Sequence, residues 1–324
     1  MQFGLQINPY FDGATANPWD GVLAAARVLD QSAFDSLWLY DHLLYEGGYS
    51  GHPYPEPVME AFTTLGAIAA ATSRVRLGQL VLGMPYRNPA LMTKMATTLD
   101  LISHGRTILG IGAGWHKREY EAYGFGQWED VPVRMRRLEE GIKVVLALWT
   151  ERPASFDGRF YRLESVQEKP DPVQKPHPPI MIGGSGERVT LRLVAQYAQF
   201  CNVGGDPATA GHRFAVLREH CERLGRPYDA ITKSIYQTVL IGRDEADVKA
   251  RQERFGDYIP RSGALIGTPE QLIEQFAAYA EVGCQYAIYR TPDWQDAESI
   301  QLFSERVIPA LAKEGAPAAS QASG

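Results

Sequence analysis

Ser36-Leu37-Trp38-Leu39-Tyr40-Asp41-His42 is an apolar run that ends in two titratable side chains. A second run, Thr107-Ile108-Leu109-Gly110-Ile111, ends in Gly112-Ala113-Gly114-Trp115-His116. Each is short enough for a buried strand, and each is followed by polar or glycine-rich positions. Reactive groups at the carboxyl ends of several parallel strands are how a (β/α)8 barrel builds an active site. The two stretches together point to an enzyme on such a barrel.

Outward from them, strand and helix patterns alternate. Residues 3–8 read as the first strand, and Asn17-Pro18 offers an N-cap followed by proline at N1. Val22, Ala25, Ala26 and Leu29 then recur at helical spacing. Residues 36–40 form the second strand, 58–72 a helix and 75–82 the third strand. Asn88-Pro89 starts a helix with Leu91, Met95, Leu99 and Ile102 on one face. Residues 107–111 are the fourth strand, and the next helix carries Leu138, Ile142, Val145 and Trp149.

The rhythm breaks at Phe156-Asp157-Gly158-Arg159-Phe160-Tyr161, where Asp-Gly signals a hairpin. Pro170, Pro172, Pro176, Pro178 and Pro179 mark an irregular connection. The stretch near 151–179 reads as an insertion, because alternation resumes at once. Strands follow at 179–183, 199–203 and 234–241, with helices at 187–198, 208–224 and from Glu245. A second irregular insertion, near 256–268, ends in Thr268-Pro269-Glu270-Gln271, a capping box. Residues 286–290 are the eighth strand, and Asp296 opens the last helix, with Ile300, Phe303 and Val307 inside. The expectation is an α/β protein: one TIM-barrel domain over residues 1–314 and a disordered tail over 315–324. A doubly wound sheet is the alternative, and it calls for a dinucleotide fingerprint or a clearer central break.

Composition narrows the function. The 324 residues are 45% hydrophobic and 22% charged, with a net charge of −6. No Lys or Arg run occurs, which disfavours nucleic acid and anionic membrane surfaces as partners. No apolar stretch approaches the roughly 20 residues of a membrane helix. The start, Met1-Gln2-Phe3-Gly4-Leu5, reads as a strand and not as a signal peptide, so the expected location is cytoplasmic. Cys201, Cys221 and Cys284 are read as reduced thiols, partly buried.

His42 is the side chain best suited to move protons near neutral pH, and Asp41 is placed to orient it or raise its pKa. The plainer alternative is a capping Asp beside a core histidine. Gly112, Ala113 and Gly114 offer bare backbone for a flat ring, with Trp115 as a wall and Glu119 just beyond. Lys117 stands where a G-x-G-x-x-G fingerprint needs its third glycine. Tight packing is the alternative reason for these glycines. Gly183, Gly184, Ser185 and Gly186 precede the helix expected from Glu187, so their N–H groups suit a phosphate. Arg188, in that first turn, opposes the macrodipole unless an anion binds, and Arg192 follows one turn later. The alternative is a solvated Arg188 paired with Glu187. His104, His116, His177, His212 and His220 lack metal-ligand spacing, and no metal is expected. Tyr10, Phe11, Tyr45, Tyr49, Tyr86 and Trp115 near strand ends predict an apolar pocket.

The chain resembles the luciferase-like monooxygenase superfamily, in particular its coenzyme F420-dependent oxidoreductases. The resemblance rests on Trp38-Leu39-Tyr40-Asp41-His42-Leu43, Ser73-Arg74-Val75-Arg76-Leu77-Gly78-Gln79 and Tyr86-Arg87-Asn88-Pro89-Ala90. It continues through 110–115, Glu119 with Ala122-Tyr123-Gly124, Gly183-Gly184-Ser185-Gly186-Glu187 with Thr190-Leu191-Arg192, and Gly267-Thr268-Pro269-Glu270-Gln271. It spans about residues 1–312. The resemblance implies a bacterial luciferase-like barrel with a flavin-type ring at its mouth. It implies that Asp41 and His42 contact the ring or move a proton, that a non-prolyl cis peptide at Leu80-Val81 lies behind the ring, and that 183–186 bind the cofactor phosphate. It also implies a homodimer. Sugar-phosphate dehydrogenases of the family carry Glu where this chain has Trp115 and place a Trp near Glu46, which argues against glucose 6-phosphate.

The expected activity is F420-dependent hydride transfer between deazaflavin C5 and a small organic substrate. His42 would be proton donor or acceptor, Asp41 its orienter or a hold on the ring, and Glu119 a further acid. The first alternative is an FMN-dependent monooxygenase fed by a separate reductase. The second is a cofactor-independent hydrolase or isomerase using Asp41, His42 and Glu56.

Overall fold

The computed structural model describes residues 1–7, 17–46, 55–56, 58–260 and 262–312. Eight strands form the barrel: β1 (Gln2–Gln6), β2 (Ser36–Leu39), β3 (Arg76–Gln79), β4 (Thr107–Gly112), β5 (Ile180–Gly183), β6 (Phe200–Val203), β7 (Thr232–Ile241) and β8 (Tyr286–Arg290). Every neighbouring pair is parallel. Gly4 faces Ser36, Ser36 faces Arg76, Leu77 faces Thr107 and Leu109 faces Ile180. Met181 then faces Phe200, Phe200 faces Thr232, Ser234 faces Tyr286, and Tyr286 faces Gln2, which closes the ring. The fold is the expected (β/α)8 barrel.

Local chemistry starts the helices where the sequence predicts. Asn17 accepts the Trp19 N–H at 3.1 Å and Asn88 the Ala90 N–H at 2.8 Å, each ahead of a proline at N1. Thr268 and Gln271 form the capping box of helix Pro269–Glu281. The barrel interior is filled by Trp38, Ile108, Met181, Phe200, Tyr286 and Ile288. A larger core lies between the strands and the helices, where Phe3 meets Phe276 and Phe303 edge-on.

Tertiary packing changes several expected boundaries. The third strand, expected over 75–82, stops at Gln79 and resumes as a short piece at Leu82–Gly83, because Leu80-Val81 is a cis peptide and leaves the ladder. The helix expected from Glu187 begins at Thr190 and ends at Tyr197. In helix Pro89–Ile102 the buried stripe is Met92, Ala96 and Leu99, and Leu91 and Ile102 face solvent, a rotation of about one residue from the expected face. A short helix, Lys117–Ala122, and a small pairing of Tyr45–Glu46 with Pro55–Glu56 were not anticipated. The Asp-Gly hairpin pairs Ala154–Asp157 with Arg162–Val166, and prolines 153, 170 and 176 of the same stretch follow cis bonds. Asn8, Tyr10, Phe11, Tyr49, the Glu46 and Glu56 side chains and the tail over 315–324 lie outside what is described.

At the amino-terminal end of the strands, three arginines terminate helices. Arg106 donates to the carbonyls of Ala69, Thr72, Val75 and Ser103 at 2.7–2.9 Å. Arg74 reaches Leu29, Asp30 and Ser32, and Arg226 reaches Val194, Ala195 and Ala198. Each guanidinium satisfies orphan carbonyls at a helix end and opposes the negative end of its dipole. Cys201, Cys221 and Cys284 are free and buried, and burial pushes the Cys201 and Cys284 thiols up to about 12. Among the described residues no helix is long and apolar enough to cross a membrane.

Candidate active site

A cavity of about 430 Å³ opens at the carboxyl ends of the strands. Tyr40, Asp41 and His42 follow β2, Leu80 and Val81 follow β3, and Gly112, Ala113, Gly114, Trp115 and His116 run on from β4. Gly183 and Gly184, Asn202, Tyr236 and Arg290 enter from β5, β6, β7 and β8. Two runs that are distant in sequence therefore meet in one mouth.

The Leu80-Val81 cis peptide lies at the base of this cavity. Val81 packs onto the glycines of both motifs. A Cβ on Gly112 would lie 2.8 Å from one Val81 methyl, and a Cβ on Gly183 would lie 2.9 Å from the other. A Cβ on Gly110 would lie 1.8 Å from the Gln79 carbonyl oxygen. Gly110 and Gly112 thus make room for the interrupted third strand, the tight packing that was the alternative reading of their motif, and Gly183 of the second motif does the same. Gly114 has φ +74 and takes a left-handed turn that leads into Trp115. The Gly114 carbonyl accepts from Arg134, whose guanidinium lies 4.3 Å over the Trp128 ring.

Asp41 does not orient His42, contrary to the sequence-based expectation. Its Oδ2 accepts from the Gly83 N–H at 3.0 Å and from Arg87 Nη1 at 2.7 Å, and Arg87 Nη2 continues to Glu60 at 2.7 Å. Burial pushes the Asp41 carboxyl up, and the Arg87 guanidinium works against that. Asp41 Oδ1 is buried and has no hydrogen-bond partner among the described residues. A buried acceptor with no donor is costly, and this one belongs to a residue that lines the cavity.

Glu119 is the group that holds His42. His42 Nδ1 lies 3.1 Å from Glu119 Oε2, which also accepts the N–H groups of Leu43 at 2.7 Å and Leu44 at 2.9 Å. Tyr86 adds a hydrogen bond to the same carboxylate. Burial alone would raise the Glu119 carboxyl, but the bonds from His42, Tyr86 and the backbone hold it below the usual range. Glu119 is fully buried and ionised at neutral pH, so it is a clamp and not the acid expected from sequence. An ionised partner fixes a proton on His42 Nδ1. The Trp115 ring meets the His42 ring edge-on at 5.4 Å and is 67% exposed, so it forms a solvent-facing wall of the cavity.

The second glycine motif divides. Gly183 and Gly184 line the cavity, whereas Ser185, Gly186 and Arg188 lie outside its lining. The Gly184 N–H donates to the Asn202 carbonyl at 3.2 Å. Because the helix begins at Thr190, the exposed Arg188 sits in the turn before it, and the expected conflict with its dipole does not arise. Arg192 is on the helix and pairs with Glu139 at 2.8 Å. Glu187 pairs with His212, not with Arg188, at 3.1 Å.

The ligand atoms of His42, His116 and Glu119 lie within 4.8 Å of one another, a spacing that could hold a metal ion. The Glu119 oxygens already accept from backbone N–H groups and from His42. Sequence reasoning quoted Arg87 only within a motif and missed Gln6, Tyr236 and Arg290. The one available signal for Tyr236 was its place at i+2 from Ser234 on a strand, the spacing of one face.

A family model described as luciferase-like monooxygenase matches residues 1–262. An F420-dependent glucose-6-phosphate dehydrogenase from Microbacterium testaceum is 26% identical over 327 residues, covering 90% of this chain and 92% of its own length. An FMNH(2)-dependent dimethylsulfone monooxygenase from Pseudomonas putida is also 26% identical, covering 88% and 85%. Among solved structures, the coenzyme F420-dependent tetrahydromethanopterin reductase from Methanopyrus kandleri superposes with a TM-score of 0.78 at 18% identity, covering 95% of this chain and 98% of that one.

Proposed function

The chain belongs to the luciferase-like monooxygenase family, and from that premise we propose that it is an F420-dependent oxidoreductase acting on a small organic substrate. The observation that carries this reading is the partnerless Asp41 Oδ1 in a cavity that also presents a clamped histidine. That oxygen is placed to accept from a bound molecule. The apolar base formed by Leu80 and Val81 suits the face of a planar ring, so the residues present fit a deazaflavin. Such a cofactor, when bound, supplies hydride chemistry at its ring carbon C5.

The chain's own residues supply the rest. Asp41, anchored by Arg87, offers one fixed acceptor to the ring. Leu80, Val81, Gly112 and Gly183 shape the surface behind it, and the loop at Gly183, Gly184, Ser185 and Gly186 is assigned to the anionic tail. His42 Nε2 accepts or returns the substrate proton, and Glu119 holds the imidazole in the tautomer that permits this. Trp115 limits water at the rim. With Trp115 in place of an acid, a sugar phosphate is disfavoured as substrate.

The FMN-dependent monooxygenase remains the second reading, supported by a relative of that activity at the same 26% identity. Titration of the purified protein with F420 and with FMN, followed by fluorescence, tests both. Saturable binding of F420 in preference to FMN is expected. The reverse preference would replace the first reading by the second, and no response to either would overturn both.

A further inference from the structure

We infer that His220 is a positioning residue for the cofactor's anionic tail. From a helix outside the barrel it holds the loop at Gly183, Gly184, Ser185 and Gly186 through the carbonyl of Glu187. The inference deepens the oxidoreductase reading above and rests on it for the assignment of that loop to the tail.

The loop has little apolar burial to fix it. Between Gly183 at the end of β5 and Thr190 at the start of the helix, Gly184, Gly186, Glu187, Arg188 and Val189 are all exposed. At one end the Gly184 N–H donates to the Asn202 carbonyl at 3.2 Å, and at the other the Leu191 N–H donates to the Gly186 carbonyl at 3.0 Å. The next carbonyl, that of Glu187, lies 2.8 Å from His220 Nε2, a contact across 33 positions. His220 is buried on helix Pro207–Leu224. The crown of the loop is therefore tied to a neighbouring helix. Gly183, Gly184 and Thr190, on either side of the tied segment, line the cavity.

Both ring nitrogens of His220 have assigned roles. A carbonyl only accepts, so Nε2 carries the hydrogen. Nδ1 lies 3.3 Å from Arg223 Nη2, and a guanidinium only donates, so Nδ1 accepts. The imidazole is thus the neutral Nε2–H tautomer, aimed at the loop. His212, on the same helix, pairs with the Glu187 carboxylate at 3.1 Å, but these side chains are 63% and 48% exposed. An ion pair so exposed is screened and contributes little, whereas the His220 bond is partly shielded from water. Of the two histidines that meet Glu187, His220 is the one that holds the loop. Backbone N–H groups grip an anion when they converge on it, and a loop that must first be ordered binds more weakly. His220 does not touch the ligand in this scheme.

F420 and its deazaflavin nucleoside share a ring and differ in the anionic tail, as FMN and riboflavin do. Dissociation constants for each pair are measured by fluorescence on the purified full chain. The unchanged protein is expected to bind the tailed form more tightly. In His220→Leu the tailed form should weaken about tenfold, the size of one lost hydrogen bond, and the tail-free form should bind as before. His220→Gln, whose amide N–H can stand in for Nε2–H, should restore the affinity, and His212→Ala should leave it unaltered. A merely structural loss would weaken both forms together and overturns the inference, as does unaltered affinity in His220→Leu. Tryptic cleavage after the exposed Arg188, mapped by mass spectrometry without cofactor, reads the loop alone. It should quicken several-fold in His220→Leu, and unaltered cleavage overturns the inference. Quickened cleavage in a protein that binds neither form, or both forms equally, would instead overturn the assignment of the loop to the tail and with it the role of His220 in binding. Should His220→Leu fail to fold, His220→Asn, whose amide is too short to reach the carbonyl, replaces it with the same expected results.

Discussion

The two ends of the barrel use charge in opposite ways. At the amino-terminal end, Arg74, Arg106 and Arg226 spread their guanidinium hydrogens over helix-terminal carbonyls within the fold. At the mouth, Asp41 keeps one buried oxygen without a donor among the described residues, His42 lines the cavity, and Trp115 stands 67% exposed. Side-chain hydrogen bonds finish helices at one end, and at the other an acceptor is left unfilled. This is the division between stability face and active face expected of a barrel, here visible in individual hydrogen bonds.

Substitutions at the two ends should therefore separate function from stability. His42→Ala has the largest expected effect. Turnover should fall by about 10²–10⁴-fold, the usual contribution of a positioned proton-transfer group, while the F420 dissociation constant moves only a few-fold. Steady-state kinetics and fluorescence titration on one preparation check both halves, and unchanged turnover would remove His42 from the chemistry. Arg106→Met should do the converse. It strips donors from four carbonyls and should cost about 3 kcal/mol in urea unfolding, with the cofactor affinity of the folded fraction unaltered. If activity per folded molecule fell as well, the two ends would be coupled.

How much of this was legible in the sequence depends on the range of the interaction. The alternation of elements, the Asn17 and Asn88 caps and the Thr268 capping box are local, and short-range patterning found them. The cis peptide at Leu80-Val81 was reached through the family resemblance and not through residue chemistry. Side-chain pairing was hidden. Glu119 meets His42 across 77 positions and Tyr236 meets Gln6 across 230, and no periodicity records such partners. Adjacency misled at Asp41, whose nearest titratable neighbour in the chain is not its partner in space. Gly112 and Gly183 both pack against Val81, which enters from a third strand, and the sequence does not record that contact.

Glu119→Gln tests the clamp, with a smaller effect. An amide has one oxygen where the carboxylate has two, so donors from Leu43, Leu44, Tyr86 and His42 compete for it. A stability loss of about 2 kcal/mol is expected. Turnover should drop by less than in His42→Ala, because the imidazole is loosened but not removed. The loss should also depend on pH. Glu119 titrates below the usual range in the folded protein, so its contribution is present above the unfolded carboxylate range and is lost as pH falls from there through the lower folded value. The Asp41 carboxyl is shifted the other way, and its burial cost eases on acidification. Melting temperatures of the two proteins should therefore converge as pH falls below the unfolded glutamate value of 4.5. A gap that stayed constant with pH would mean that Glu119 is not held ionised by its partners.

Gly112→Ala should have the smallest effect and sharpens the comparison within the mouth itself. The added methyl would start 2.8 Å from a Val81 methyl group, too close to be accommodated without movement. Val81 borders the open cavity, however, and can shift toward it, which no side chain sealed in the barrel interior can do. The expected stability loss is about 1 kcal/mol, at the low end for overpacking. The displaced valine would raise the surface on which the ring is proposed to rest, so the dissociation constant for F420 should increase several-fold while urea unfolding reports only that small loss. Measured together, those two numbers distinguish a glycine that only eases strand packing from one whose packing shapes the cofactor's seat. Loss of stability with unchanged cofactor affinity would leave Gly112 with the first role alone and place the ring elsewhere in the cavity.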